Sequence, residues 1–404
     1  MSVELEQSPE VQAISDWLVH QGLWRADVPT LLGGYCERLA AAGVPIWRGY
    51  LSALTLHPRV RSVGASWRPG QGAKSELYIY RPQPSEDYLV SPFAYMFEQG
   101  LPSLRVPLAG DGPIEFPLLA GFRAEGATDY LAHVASFGLD GAPDGETGMV
   151  SSWTTDRQGG FSNRDLAILT QLLPRLGLAV QARLGHEIAV NLLDAYVGPE
   201  AGRRILAGKI RRGQLEVVSA VILYADLRGF TAAADRHPRD EMVDTLNCYF
   251  DRLVPSIEEF GGQVLKFMGD GLLATFPLNG RPAAEVCDRA LCAAAKTLER
   301  IRILCDERAA TNATVLDLDL VLHLGDVFYG NVGSADRLDF TVIGPAINEA
   351  SRIEVLCGQH ERNLLISETF AKAATDSAER LVSIGRFALR GVGSAQSIYT
   401  LDGL

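Results

Sequence analysis

The 404-residue chain has no uncharged apolar run of about 18 residues, the length that a membrane-spanning helix needs. Its N-terminal sequence, MSVELEQSPE, is acidic and lacks the basic start and the apolar stretch of a signal peptide. Basic residues are also fewer than acidic ones: the chain has 37 Lys and Arg and 49 Asp and Glu, which gives a formal charge of −12. We therefore expect a cytoplasmic protein that binds neither membranes nor nucleic acid.

Paired cysteine motifs are absent as well. None of the six cysteines forms a CxxC pair, so we interpret them as reduced, mostly buried apolar residues rather than zinc ligands or redox groups. Internal repeats and long low-complexity tracts are also missing. Apolar residues make up 47% of the chain, enough for the cores of two or three domains.

Two short acidic motifs stand out in the second half, YADLRGFT (224–231) and KFMGDGLLATF (266–276). The apolar run VVSAVILYA before Asp226 predicts a buried strand, so this aspartate lies at a strand end. Asp270 lies between Gly269 and Gly271, and an Asp-Gly pair between apolar runs predicts a hairpin. Two carboxylates on neighbouring strand ends can share Mg²⁺, which prefers oxygen ligands and usually arrives with substrate phosphates. The pattern therefore indicates two-metal phosphoryl chemistry.

Three further motifs follow, HLGDVFYGNVG (323–333), LDFTVIGPAINEASRIE (338–354) and FALRGVG (387–393). Either acidic motif alone would be weak, since most Asp-Gly turns are only hairpin corners. The ordered set, however, resembles the class III nucleotidyl cyclases over roughly residues 195–400. The resemblance implies an α/β (α+β) catalytic domain at 215–404, with a ferredoxin-like core of antiparallel strands flanked by helices.

The resemblance assigns roles to particular residues. The two aspartates, with the backbone carbonyl that follows the first, would hold two Mg²⁺ or Mn²⁺ ions: Asp226, Asp270 and Leu227. The start of the next helix would bind the triphosphate through free N–H groups, a common type of anion site. That segment comprises Gly229, Phe230 and Thr231.

Asn348 and Arg352 lie four residues apart in a helical pattern and so project from one face. By resemblance, Asn348 orients the ribose and Arg352 contacts the α-phosphate as charge builds in the transition state. Lys266 and Thr341 match the two positions that read the base. A lysine can donate to adenine N1 and a threonine hydroxyl can accept from the exocyclic amine, which favours ATP over GTP.

The sequence departs from the family pattern at three positions. Arg390 replaces a phosphate-binding lysine, which keeps the charge but changes its geometry. Pro345 replaces a commonly polar residue before the Asn348 helix, and Asp326 stands where some relatives have a phosphate-contacting arginine. None of these changes removes a metal ligand or the Asn348 and Arg352 pair.

The resemblance implies an adenylate cyclase that makes 3′,5′-cyclic AMP and diphosphate from ATP. In the family, the metal aspartates and the base-reading, Asn and Arg residues of one site come from different catalytic domains. One chain with both sets therefore implies a head-to-tail homodimer. A catalytically silent nucleotide-binding regulator and a guanylate cyclase are the alternatives, and a diguanylate cyclase is disfavoured because a GGDEF-like pentapeptide is absent.

Residues 1–188 mix helical and strand-like runs and end in a long helical pattern. Ser162 is the expected N-cap, with Asp165 three residues later. We interpret this part as a GAF- or PAS-like α+β domain and residues 189–214 as a helical transducer. A small-molecule or protein effector is expected here, and these aromatic residues are candidates either for its pocket or for the core: Trp47, Trp67, Tyr78, Tyr80, Phe93, Tyr95, Phe97 and Trp153.

Overall fold

The computed structural model describes residues 8–110, 112–137, 148–391 and 393–403. The first seven residues of the acidic N-terminus and Val392 of the last motif lie outside this range. The chain divides into two compact units, Met1–Ala195 and Tyr196–Leu404.

The N-terminal unit contains a six-stranded sheet in the order β3-β2-β1-β6-β5-β4. Each neighbouring pair is antiparallel. The strands are β1 (Arg48–Leu54), β2 (Val60–Arg68), β3 (Gly72–Ile79), β4 (Ser103–Pro107), β5 (Asp129–Ser136) and β6 (Gly148–Thr155).

Helices cover both faces of this sheet. They are α1 (Pro9–Trp24), α2 (Val28–Ala41), α3 (Glu86–Leu89), α4 (Pro92–Gln99), α5 (Pro117–Ala124) and α6 (Asn163–Val197). One face packs against α1, α2 and α6, where Leu18, Leu32, Leu51 and Leu172 share a core. Residues of α4 and α5 pack on the other face in a smaller cluster around Tyr130. Successive residues of a strand point to opposite faces of the sheet, so alternate residues pack into two different cores.

Helix α6 begins with the cap that the sequence predicts. The Ser162 hydroxyl accepts from the Asp165 N–H at 3.3 Å, and an Asp165 carboxylate oxygen accepts from the Ser162 N–H at 2.8 Å. This reciprocal pair satisfies donors that a helix N-terminus leaves unpaired. Leu169, Leu172 and Leu176, which recur at helical spacing along α6, are buried.

The C-terminal unit is built on an eight-stranded sheet, in which β13-β14-β12-β10-β7-β9-β8 are neighbours and β11 pairs with the far half of β10. The strands are β7 (Leu215–Arg228), β8 (Gln263–Met268), β9 (Gly271–Pro277), β10 (Asp317–Gly333), β11 (Leu338–Ile343), β12 (Leu364–Ile366), β13 (Leu381–Phe387) and β14 (Gln396–Leu401). The expectation of antiparallel strands needs one correction, since β12 pairs with β10 in parallel. This is possible because a helix, α11 (Pro345–His360), carries the chain back between them.

The other helices of this unit are α7 (Pro199–Leu206), α8 (Phe230–Ala234), α9 (Arg239–Glu259), α10 (Ala283–Ala310) and α12 (Glu368–Ala373), with a 3₁₀ turn at Ala378–Arg380. Tyr249 of α9 and Leu291 of α10 share one core with the sheet, while Ile353 of α11 lies in another. In the part of the chain that the structure describes, no helix has both the length and the apolar character to cross a membrane. All six cysteines are free.

The segment before β7, which the sequence predicts to be helical, contains the end of one helix, a break and a second helix. Helix α6 ends at Val197, Gly198 has a φ of +88°, and α7 starts at Pro199. Ala201 is buried in the core beside α11, and the Arg204 guanidinium lies 4.8 Å from the ring centre of Tyr329. Helix α7 is thus fixed to the C-terminal unit. The sensory and transducer roles of 1–188 and 189–214 stay predictions.

Candidate active site

The two aspartates of the acidic motifs meet at one end of β7. Asp226 lies two residues before the end of this strand, and Asp270 lies in the turn between β8 and β9, as predicted. A Cβ added at Gly271 would lie 2.8 Å from Oδ1 of Asp226. The Asp226 carboxylate is therefore packed against the turn that carries Asp270, and only glycine leaves room for it.

This region holds more negative charge than the aspartate pair alone. Burial raises the pKa of Asp226 to about 6, and the charges of Asp270 and Asp319 add to the rise. Glu354 of α11 also has a raised pKa, about 7, mainly from burial and then from Asp226 and Asp319. Carboxylates that raise one another's pKa values mark a place where a cation is favoured.

Asp319 and Glu354 are site residues that the sequence analysis missed. Asp319 faces Asp226 across the β7–β10 ladder and is only 3% exposed. It accepts hydrogen bonds from Nε and Nη2 of Arg228. An acid inside the apolar strand pattern DLDLVLHL was the available signal for Asp319, but only the pairing of the two strands places it beside Asp226.

The donor set at this end of β7 fits hard divalent cations. Within the described residues, no group of three or more His, Cys, Asp and Glu side chains is placed to hold a metal ion. Carboxylate oxygens are ligands that Mg²⁺ prefers, and this ion usually keeps several waters and shares substrate phosphates. The Leu227 side chain is buried in the core, so this residue can contribute only its backbone.

The predicted triphosphate loop, residues 229–231, directly follows β7. Gly229 has a φ of +82° and precedes α8, as the sequence indicates, but this helix contains only five residues, Phe230–Ala234. Its first N–H groups, including those of Phe230 and Thr231, have no acceptor within the helix. The loop can therefore donate hydrogen bonds to an anion through its backbone. The dipole of so short a helix adds little to the binding of that anion.

Asn348 and Arg352 lie on α11, as the sequence predicts. The helix starts at Pro345, the position where proline is favoured, so this departure from the family pattern is accommodated. Asn348 is exposed and Arg352 is half-buried. A Cβ added at Gly391 would lie 3.4 Å from Nη2 of Arg352. The Arg352 guanidinium therefore adjoins the loop that carries the exposed Arg390.

The two predicted base-reading residues, Lys266 and Thr341, lie on β8 and β11. Nζ of Lys266 donates to Oδ2 of Asp339 at 2.6 Å, a contact that the sequence analysis did not foresee. Thr341 pairs with Gly330 in the β10–β11 ladder and is half-buried. Asp326 accepts a hydrogen bond from the Ser219 hydroxyl.

The site residues thus form two groups in the protomer. Asp226, Asp270 and the loop after β7 form an acidic group, while Arg352 and Arg390 form a cationic one. Carboxylates that can hold metal ions and guanidinium groups that can bind phosphates are the donor types that phosphoryl transfer from nucleotides uses.

Comparison with known proteins identifies the domain. Residues 214–403 match the family model of the adenylate and guanylate cyclase catalytic domain. An adenylate cyclase of Anabaena cylindrica is 35% identical over 155 residues, 37% of this chain and 30% of that protein. The terminal-differentiation-specific adenylate cyclase of Dictyostelium discoideum is 28% identical over 188 residues, 46% of this chain and 9% of that protein.

Among solved structures, the guanylyl cyclase Cya2 is 28% identical, and the match covers 47% of this chain and 94% of that one with a TM-score of 0.41. The chain spans no more than about a third of the two curated relatives above. Its C-terminal unit belongs to the class III adenylate and guanylate cyclase catalytic domain family.

Proposed function

We propose that the protein is an adenylate cyclase, which converts ATP to 3′,5′-cyclic AMP and diphosphate at a site shared by two copies of the chain. The observation that carries this proposal is the acidic group at the end of β7, in a domain that also presents Asn348 and Arg352 from one helix. Cyclisation needs an activated 3′-hydroxyl and dispersal of negative charge at the α-phosphorus, and the two groups match these tasks.

In this proposal, Asp226, Asp270 and the backbone carbonyl of Leu227 hold two Mg²⁺ or Mn²⁺ ions. The ions would lower the pKa of the attacking hydroxyl and stabilise the leaving oxygen. The crowding of carboxylates, which raises the pKa of Asp226, supports the assignment, since a bound cation would relieve it.

The cationic group would act on the phosphates. The planar guanidinium of Arg352 suits the charge that builds on the α-phosphate, and Asn348, one turn earlier, would orient the ribose. Arg390 would hold the triphosphate from the adjacent loop. Loss of a donor that acts in the transition state costs about 3 kcal/mol in the barrier. The backbone N–H groups of residues 229–231 would complete the triphosphate site.

Lys266 and Thr341 would select adenine. Nζ of Lys266 donates to Asp339 at 2.6 Å in the protomer, which leaves its ammonium group two further protons to donate. A donor for N1 and a hydroxyl acceptor for the exocyclic amine fit adenine and oppose guanine, whose edge has the reverse pattern.

The proposed catalyst is a head-to-tail homodimer. The presence of both the acidic group and the Asn348 and Arg352 pair on one chain supports it, because two copies of such a chain can each supply what the other site needs. A twofold axis would bring the acidic group of one protomer to the cationic group of its partner, twice.

The N-terminal unit would regulate this activity. Its antiparallel sheet and long final helix support the GAF-like interpretation. Helix α6 is followed, after Gly198, by α7, which packs beside α11 of the catalytic unit. A change in the N-terminal unit would therefore have a route along the chain to the helix of Asn348 and Arg352.

Turnover of ATP and GTP, measured side by side with Mn²⁺, tests the proposal. We expect cyclic AMP from the wild-type chain, far less cyclic GMP, and a loss of at least about 100-fold in Asp270→Ala, as for removal of a metal ligand in a two-metal site. Asp306→Ala, a change at an acid that is 71% exposed, is the matched control and should keep full activity. Equal product from wild type and Asp270→Ala would exclude the proposed metal site. Nucleotide binding without turnover under either metal would favour a silent regulator.

A further inference from the structure

The N-terminal unit contains a cavity of about 740 Å³ on the sheet face that carries α4. Tyr50 and Ser52 of β1 lie on its strand side, and Phe93 and Phe97 of α4 lie across from them. Leu51, between the two β1 residues, points to the opposite face and the core of α1, α2 and α6. The volume lies within the range of small-molecule sites, about 300–1,000 Å³.

The aromatic walls of this cavity are held in place. The Tyr50 hydroxyl donates to the Tyr78 hydroxyl at 2.9 Å, and Tyr78 donates in turn to Glu76. The rings of Tyr50 and Phe93 lie 6.0 Å apart and tilted by 34°. Fixed aromatic faces around an open space favour a flat ring, which can stack on them at little cost in conformational entropy.

Arginine side chains give the cavity its charge. Arg61 and Arg81 both line it, and in the described part of the chain neither guanidinium has a hydrogen-bond or ion-pair partner. Arg61 lies at a break in the β2–β3 register between Val60 and Ser62. Such a bulge redirects a side chain, which explains how Arg61 and its neighbour Ser62 both reach the cavity.

A third guanidinium lies behind the aromatic wall. Arg48 is half-buried, 5.2 Å from the ring centre of Tyr50, and burial lowers its pKa. The acids nearby are Asp87, which lines the cavity, and Glu76, which is occupied by Tyr78. The lining itself, with Arg61 and Arg81 against Asp87, has a positive excess, in a chain whose overall charge is −12.

We propose that this cavity binds a planar aromatic organic anion. Its ring lies among Tyr50, Tyr78 and Phe93, and its carboxylate or phosphate pairs with Arg61 and Arg81. A guanidinium suits both anionic groups, because its donors match their oxygens in pairs. This proposal names the chemical class of the effector. Binding itself does not depend on the proposed cyclase activity, so the failure of one would leave the other intact.

Matched ligands test the proposal with the full chain. Saturable binding of 2-naphthoate and 2-naphthyl phosphate is measured by titration calorimetry up to about 1 mM, a weak-binding limit. The neutral analogue 2-naphthamide has the same ring system without the charge. We expect at least one of the two anions to bind about tenfold more tightly than the amide, the difference that one charge-assisted pair supplies.

Variants locate the site. Arg61→Gln and Arg81→Gln should each reduce anion affinity to about that of the amide, because the charge-assisted pair is lost. Arg59→Gln is the matched control, since Arg59 is an exposed arginine two residues from Arg61 that does not line the cavity. Unchanged melting temperatures show that the variants fold. Equal affinity for acid and amide, no saturable binding of either anion, or an equal loss in Arg59→Gln would overturn the proposal.

Discussion

At the scale of single residues, the burial of Asp226 near other carboxylates lowers the stability of the unliganded domain at neutral pH. Burial and the charges of Asp270 and Asp319 raise its pKa from 3.8 to about 6, so the folded state binds this proton more tightly than the unfolded state. The stability that Asp226 contributes through its proton is therefore present at low pH and lost as pH rises through about 6. A cluster of buried carboxylates destabilises the folded protein at neutral pH as long as no cation neutralises it.

Asp226→Asn should therefore stabilise the metal-free protein at pH 7. We expect a gain of about 1–2 kcal/mol in the free energy of unfolding of the C-terminal unit, since Asp226 is half-buried and partly screened. The gain should shrink towards pH 4, where the aspartate is protonated. Urea unfolding in a chelator at the two pH values measures it.

Asp306→Asn, at an exposed acid, should leave the unfolding free energy unchanged at both pH values. Addition of Mn²⁺ should stabilise the wild-type chain more than Asp226→Asn. A variant that is less stable than wild type at pH 7 without metal would contradict this account of the carboxylate cluster.

At the scale of elements, short-range patterns decided what could be predicted. The hairpin around Asp270 needs only glycines and two neighbouring apolar runs, so its position followed from local sequence. The cap of α6 likewise involves residues only three apart. The parallel pairing of β12 with β10 joins segments far apart in the chain, so no local sequence pattern predicts it.

The cap of α6 supplies a prediction at this scale. Ser162→Ala removes the hydroxyl that accepts from the Asp165 N–H, so we expect the N-terminal unit to lose about 1 kcal/mol of stability. Ser162→Asn should restore most of the loss, because asparagine also caps well. Thermal unfolding of the three chains measures the difference.

The Asp165 carboxylate also accepts from Arg157 and from the Ser162 backbone N–H. Those contacts survive in Ser162→Ala, so the loss should stay near the value for a single cap. A variant as stable as wild type would mean that Asp165 alone satisfies the start of the helix.

At the scale of the whole molecule, the proposed dimer has a direct test. Asp270→Ala disables the acidic group of a protomer and Arg352→Ala disables its cationic group. When the two inactive chains are refolded together, half of the dimers are mixed and one of their two sites is intact. About a quarter of wild-type activity should return if each site combines groups from two protomers.

A mixture of Asp270→Ala with Asp226→Ala is the control, because both changes lie in the same group and no intact site can form. Its activity should stay at the level of the single variants. If the mixture of Asp270→Ala and Arg352→Ala is no more active than this control, the proposal that two protomers share each site is wrong.

The aromatic residues of the N-terminal unit show a limit of sequence analysis. Of the eight candidates, Tyr78, Phe93 and Phe97 line the cavity, whereas Trp67 and Trp153 fill the core on the opposite face. Composition could not separate the two sets, because the same residue types suit both environments. The direction of each side chain depends on strand register and on the packing of α4.

The sequence by itself determined the catalytic family and the elements that carry Asp226, Asp270, Asn348 and Arg352, because motif order and local turn chemistry are encoded in neighbouring residues. Tertiary structure alone decided which charges meet. It placed Asp319 and Glu354 beside Asp226, joined Lys266 to Asp339, and opened a cavity lined by arginine and tyrosine. Those contacts depend on strand pairing and helix packing between distant segments, which no local pattern specifies.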